Sequence, residues 1–241
     1  MRQRFGRLRR PGGERHRQRG DGRPAAASAA GDNGLAALPA DQALQRAVQG
    51  LRDAGTVRTA GTLSTQGAQV RVDLRLNTAG DCTGTLGQLG VGSFEVVKAG
   101  TQLWVKPDQE FWQTHGGSAL SDLVGDRYLR TSSDNPDFGE ITELCDLGAL
   151  ADRLGSAGSG VTRGEPATVQ DRPALALSGA SGTGTLYVAT TGAAVPLELE
   201  QDTGKVDFSE FGTPVPSATP GPDQSLDLDQ LQSPAATPSV V

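Results

Sequence analysis

The alternation of apolar and polar residues between Val70 and Leu76 constrains the fold more than any other feature of the chain. Val70, Val72, Leu74 and Leu76 occupy every second position, and charged residues fill the positions between them. A strand with this pattern has one apolar face and one charged face. Similar segments recur about every ten residues, separated by glycine, aspartate or proline, so we expect an antiparallel meander of roughly seven to ten strands.

Helical spacing appears in two other regions. Over residues 40–54, apolar residues such as Leu44 and Leu51 recur on one side, with polar residues on the other. Residues 138–155 carry a second apolar stripe, which includes Cys145. Helices that cover one side of an antiparallel sheet make an α+β fold.

The stretch Gly100–Trp112 contains both tryptophans of the chain. Leu103 and Val105 alternate with polar positions, which predicts a strand that ends at Pro107. Asp108 is then placed to cap a short helical turn. We therefore expect a strand followed directly by a helical turn.

Positive charge is concentrated at the start of the sequence. Residues 1–23 hold nine of the 22 basic residues, all arginine, and two acidic residues, Glu14 and Asp21. The rest of the chain has 13 basic and 26 acidic residues. A body with this excess of negative charge repels nucleic acid, so no nucleic-acid partner is expected.

The basic run at the start has two interpretations. A signal peptide would need an apolar stretch next, but residues 24–30, PAAASAA, are short and weakly apolar. The run is therefore either a disordered arm, or the result of a wrong start or a replaced signal peptide. No segment is apolar enough for a transmembrane helix. We expect an arm over residues 1–35, one domain over 36–231 and a disordered tail over 232–241.

The chain has two cysteines, Cys82 and Cys145. No CxxC pair or His/Cys cluster accompanies them, so neither a metal nor another cofactor is expected. They are two buried free thiols if the protein is cytosolic, or one disulfide if it is exported. The even number favours the disulfide.

Few residues suggest an enzyme. His115 is the one histidine outside the arginine-rich run, and the sequence has no G-x-S-x-G motif. Asp223, Asp227 and Asp229 lack the glycine and glutamate of a calcium loop, so we expect a solvated acidic segment. We predict a protein without catalytic activity, and a hydrolase centred on His115 is the weaker hypothesis.

The apolar face of the predicted sheet allows two interpretations. Its side chains either fill an ordinary core beneath the helices or line a cavity that suits acyl chains. Periodicity alone favours the core, because packed interiors are the usual case.

Three parts of the sequence resemble the LppX/LprAFG-type lipoproteins of actinobacteria, which are similar in fold to the lipoprotein carrier LolA. Thr101–Lys106, TQLWVK, resembles a strand that follows a glycine turn in the family. Tyr128–Thr131 and Pro136–Leu150 resemble a version with a second cysteine, found in streptomycete-like members. Val206–Val215, VDFSEFGTPV, resembles the late strand of the family. The likeness extends over residues 36–231.

The resemblance implies a strongly curved antiparallel half-barrel sheet, with helices covering its concave face and an apolar cavity between them. It also implies export and a lipidated cysteine that anchors the protein to the membrane. Members of the family bind acylated glycolipids or help to move lipids across the envelope. This chain has no lipobox, and Cys82 and Cys145 lie inside the domain, so neither is a lipidation site.

We therefore expect a monomeric, extracytoplasmic protein of the cell envelope that binds a lipid or another acylated amphiphile, with a role in lipid transport. The alternative is a structural or signalling interaction module with a filled core. Strand alternation selects the cavity residues, and the opposite face of the sheet is the other choice. The predicted lining consists of Val70, Val72, Leu74, Leu76, Val96, Leu103 and Val105.

Overall fold

The structure, a computed structural model, describes residues 31–65, 67–156, 160–180, 184–202 and 204–232. Most of the predicted arm and tail therefore lie outside the described residues. Within the predicted arm, Leu35 is fully buried, and the Asn33 side chain donates to the Ala189 carbonyl oxygen at 3.0 Å. The last residues of that segment thus belong to the folded body.

One sheet contains the twelve strands of the described residues. The strands are β1 (Thr56–Thr65), β2 (Ala68–Asn77), β3 (Cys82–Gln88), β4 (Gly92–Ala99), β5 (Gln102–Pro107), β6 (Tyr128–Ser132), β7 (Thr162–Val169), β8 (Arg172–Ser178), β9 (Thr185–Ala189), β10 (Pro196–Gln201), β11 (Gly204–Ser209) and β12 (Ser225–Asp227). Their order is β12-β6-β5-β4-β3-β2-β1-β11-β10-β9-β8-β7. Neighbours are antiparallel except β12 and β6, and the described edge strands do not pair with each other, so the sheet is open.

Helices cover one face of this sheet. They are α1 (Ala40–Ala54), α2 (Gln109–Phe111), α3 (Gly117–Val124), α4 (Gly139–Leu144), α5 (Leu147–Ser156) and α6 (Leu228–Gln232). None of these described helices is both long and apolar enough to cross a membrane.

Helix α1 has the bounds that its periodicity predicts. Its apolar stripe, which includes Leu44 and Leu51, is buried. Gly55 ends the helix with a φ of 72°, a conformation that favours glycine. Contacts with β1, β10 and β7 place α1 across the sheet, and α5 packs beside it.

The register of the strands aligns apolar residues on the face toward the helices. One row of paired residues runs from Leu177 through Leu186 and Leu199 to Val206. It continues through Gly61, which pairs with both Val206 and Val72. Directly paired residues share a face, so this row forms a continuous apolar floor beneath the helices.

Two glycines let neighbouring strands approach more closely than a side chain allows. A Cβ atom on Gly61 would overlap the Lys205 carbonyl oxygen, and a Cβ on Gly84 would overlap the Asp73 carbonyl oxygen. Glycines of this kind allow a sheet to bend. The predicted fold class is confirmed: an α+β half-barrel with an open antiparallel sheet and helices on one face.

The helix predicted over residues 138–155 is two helices, which is a correction. The Asp146 carboxylate accepts hydrogen bonds from the backbone N–H groups of Gly148 and Ala149, at 2.7 and 3.1 Å. It therefore caps α5, and the predicted helix is interrupted at Cys145 and Asp146. Asp146 also bridges to Asn77 of the sheet.

The acidic segment near the end of the chain is also ordered differently from the prediction. Asp227 lies in the edge strand β12, accepts a bond from Arg130 at 2.6 Å, and caps α6 through the N–H groups of Asp229 and Gln230. Six strands separate β12 from β11 in the sheet. A three-residue strand that pairs with a distant partner gives no usable periodicity, so the sequence did not indicate it.

Candidate functional site

A depression of about 620 Å³, here called the apolar groove, lies between helices α1, α4 and α5 and strands β1 and β8–β10. Ligand pockets typically measure about 300–1,000 Å³, so its size suits a small molecule. Nine of the fourteen described residues that line it are aliphatic. These are Leu44, Leu63, Leu144, Leu150, Leu154, Val161, Leu177, Leu186 and Leu199.

The register of the sheet and the period of α5 explain why these side chains converge. Leu177, Leu186 and Leu199 belong to one cross-strand row and therefore form one wall. Leu150 and Leu154 are four residues apart on α5, so they project from the same side of that helix. The helix and the sheet thus present facing apolar walls.

Polarity changes from the floor of the apolar groove to its rim. Leu44, Leu177 and Leu186 are at most 5% exposed. Arg153 and Ser156 also line the groove, and both are exposed. A space with an apolar floor and a polar rim has the chemistry that accommodates an amphiphile.

Arg153 is the one charged side chain among the described residues that line the apolar groove. Its Nη2 lies 2.5 Å from Oε2 of Glu143, and the two side chains are 53% and 66% exposed. A second pair, Arg52 with Asp152, also at 2.5 Å, lies nearby but does not line the groove.

The seven residues predicted to line a cavity lie elsewhere. Leu74, Leu76, Val96, Leu103 and Val105 are at most 1% exposed and form part of the main core, while Val70 and Val72 are half-buried. None of the seven lines the apolar groove. Val70 nevertheless pairs with Leu63, a lining residue, so the predicted strand shares the face that carries the groove.

Sequence reasoning did not select the residues that line the apolar groove, because the clearest alternation is in β2, in the other half of the sheet. In β8 the residues from Ala174 to Leu177 are all buried, on both faces of the strand. A strand buried on both sides shows no alternation. A signal existed in the spacing of Leu150 and Leu154, which the predicted helix contained.

The disulfide joins one wall of the apolar groove to the sheet. Cys82 at the start of β3 is bonded to Cys145, with a Cα–Cα distance of 5.2 Å, as the sequence analysis expected. Both residues are at most 1% exposed. Cys145 directly follows the lining residue Leu144, so the bond holds the junction of α4 and α5 against the sheet.

A polar cluster lies on β4, β5 and β6, away from the groove. The Tyr128 hydroxyl donates to Glu95 at 2.7 Å, and Lys106 lies 3.0 Å from the same carboxylate. Burial, followed by the bond to Glu95, raises the pKa of Tyr128 to about 12. The hydrogen bond from Tyr128 is the largest influence on Glu95 and lowers its pKa. Burial opposes this effect, but the bond from Lys106 adds to it, so the pKa of Glu95 is lowered overall.

The predicted helical turn after Pro107 is present. The Asp108 side chain accepts from the Phe111 N–H at 2.8 Å and from the Ser93 hydroxyl at 2.7 Å. Burial alone would raise the pKa of Asp108, but these hydrogen bonds together lower it. His115 stacks on Phe111 with ring centroids 4.7 Å apart.

Nothing among the described residues brings a serine or carboxylate into a hydrogen bond with His115. The described parts of the chain likewise hold no group of three or more His, Cys, Asp or Glu residues that could bind a metal ion.

A larger depression, of about 750 Å³, lies between α1 and the residues around Val195. Arg46, Asp53 and Arg172 line it, with Val195 and Phe211 as its large apolar residues. These charged walls suit an acyl chain less well than the nine aliphatic side chains of the apolar groove.

Comparison with known proteins gives likeness at the level of the fold. No family model and no curated protein matches the chain. The structure of LprF from Mycobacterium bovis is 16% identical, covering 75% of this chain and 96% of LprF, with a TM-score of 0.48. The structure of the MucA/MucB complex of Pseudomonas aeruginosa is 15% identical, covering 81% of this chain and 61% of the matched chain, with a TM-score of 0.33.

LprF carries the name of the LppX/LprAFG-type group that the sequence resembles, and the likeness to it concerns the fold alone. The chain spans about 61% of the matched MucB structure. At 15–16% identity, neither likeness indicates a ligand or partner for this chain.

Proposed function

We propose that this protein is a non-enzymatic carrier that binds one amphiphile, with the acyl chain in the apolar groove. The proposal rests on the change in polarity from the buried apolar floor at Leu177 and Leu186 to the exposed, charged rim at Arg153. Burial of apolar surface stabilises such a complex by about 25 cal/mol per Å². No covalent step is needed, so the ligand is held and released by equilibrium.

The buried disulfide supports a location outside the cytoplasm, because structural disulfides persist in oxidising compartments. We therefore propose the cell envelope as the site of action and a membrane lipid as the source of the ligand. Fractionation of cells tests the location, and recovery of the folded protein only from the cytoplasm would contradict it.

Filling the apolar groove tests the proposed function. Leu199 is a half-buried lining residue on β10. Leu199→Trp should weaken the binding of parinaric acid, a fluorescent fatty acid, at least about tenfold, since a tenfold change equals only about 1.4 kcal/mol. Leu123→Trp is the matched control, because Leu123 is 49% exposed on α3 and does not line the groove.

The competing function is an interaction module with a filled core. Leu74, Leu103 and Val105 are buried in the other half of the sheet, and a filled core of this kind favours that alternative. Failure of the wild-type protein to bind parinaric acid would support that alternative. Equal binding by a correctly folded Leu199→Trp variant would show that the ligand lies outside the apolar groove. Circular dichroism and thermal melting establish that the variant is folded.

A further inference from the structure

The one charged side chain among the described residues that line the apolar groove, Arg153, is cationic, although the domain as a whole is acidic. Arg153 lines the groove and keeps 53% of its side chain exposed, so it lies where the groove opens to solvent. Leu154 follows it directly, and Leu150 lies one helical turn before it. An acyl chain that lay against these two leucines could place its polar end beside the guanidinium group.

We infer that the apolar groove selects an amphiphile with an anionic headgroup, a phosphate or a carboxylate, which binds Arg153 and displaces Glu143 from it. This inference rests on the proposed function. A guanidinium group binds phosphate and carboxylate oxygens through two parallel hydrogen bonds, so Arg153 offers a geometric match as well as a charge.

The neighbouring charges leave Arg153 available for this exchange. Its Glu143 partner is 66% exposed, and an ion pair between exposed side chains is weak. Asp152, the adjacent acidic residue on α5, is paired with Arg52. Glu143 is therefore the acidic residue in direct contact with Arg153, and it competes with the ligand headgroup.

The test compares two lipids that differ by one phosphate group. Monooleoyl lysophosphatidic acid and monooleoylglycerol share their acyl chain and glycerol, and the first carries a phosphate. We expect Arg153→Gln to weaken binding of the lysophosphatidic acid roughly two- to fivefold, the size of a partly exposed ion pair. Binding of the monooleoylglycerol should not change. Glu143→Gln should strengthen binding of the lysophosphatidic acid alone, by about two- to fivefold.

Arg52→Gln is the matched control, because Arg52 is a nearby exposed arginine in an ion pair that does not line the groove. It should bind both lipids as the wild type does. Raising the salt concentration should weaken binding of the lysophosphatidic acid and leave that of the uncharged lipid unchanged.

Two results would overturn the inference and leave the proposed function intact. One is equal affinity of the wild-type protein for the two lipids, and the other is equal weakening of both by Arg153→Gln. If the wild type binds neither lipid, the headgroup assignment fails, and if it also binds no parinaric acid, the proposed function fails with it.

Discussion

At the scale of single residues, Tyr128 shows how burial and one hydrogen bond change the chemistry of a side chain. Its hydroxyl donates to Glu95, and the pKa of about 12 lies above the usual value of 10. Because the folded protein holds the phenol proton more tightly than the unfolded chain does, this contribution to stability is complete below pH 10. It is lost as the pH rises from 10 to about 12.

Titration of tyrosinate absorbance tests this prediction. Tyr187 is the other tyrosine, so Tyr187→Phe leaves Tyr128 as the only signal. We expect that signal to titrate near pH 12. Adding Glu95→Gln should lower the pKa of Tyr128 but keep it above 10, since burial is the larger cause. Titration of the Tyr187→Phe protein at the ordinary tyrosine pKa of about 10 would contradict the prediction.

At the scale of elements, Gly50 sets the distance between α1 and the residues before β10. A Cβ on Gly50 would overlap the carbonyl oxygen of Ala194, whereas a Cβ on Gly155 of α5 would meet only Val48 side-chain atoms at 3.8 Å. Both glycines lie within helices, where alanine is intrinsically favoured by about 1 kcal/mol.

We therefore predict opposite effects for the same substitution at these two positions. Gly50→Ala should lower the free energy of unfolding by about 1–3 kcal/mol, because the helix must move away from Ala194. Gly155→Ala should be neutral or stabilising by up to about 1 kcal/mol. Denaturant unfolding measures both, and a stabilised Gly50→Ala protein would show that α1 does not approach Ala194 closely.

The disulfide links two elements that are far apart in the chain. It closes a loop with a sequence separation of 63 residues. Loss of such a cross-link is expected to lower the free energy of unfolding by about 4 kcal/mol, through the added entropy of the unfolded chain. Chemical unfolding with and without reductant measures the difference.

Free-thiol titration provides the independent check on this bond. The denatured, unreduced protein should contain no free thiol. Two free thiols per chain would contradict the pairing of Cys82 with Cys145.

At the scale of the whole molecule, the periodicity of individual segments predicted much of the fold. The bounds of α1 and the register-defining alternation of β2 follow from local patterns. The break at Asp146 and the position of β12 depend on side-chain capping and on pairing with β6, which no local pattern specifies.

The candidate site was harder to predict than the fold, for a physical reason. Leu177, Leu186 and Leu199 come together because β8, β9 and β10 pair in one register and α5 lies above them. The residues that show the clearest alternation, such as Leu74, are buried in a filled core. Alternation identifies the face of a strand, whereas a cavity forms where the facing elements do not close against each other.

The most direct test of amphiphile binding is native mass spectrometry of the full chain, purified without detergent. Binding in the apolar groove predicts a monomer with one non-covalently bound amphiphile, released on denaturation, and predicts that the Leu199→Trp protein lacks it. Extraction and analysis of the released molecule would then identify its headgroup. A wild-type protein that carries no ligand and also takes up none from added lysophosphatidic acid, monooleoylglycerol or parinaric acid would contradict the proposed function.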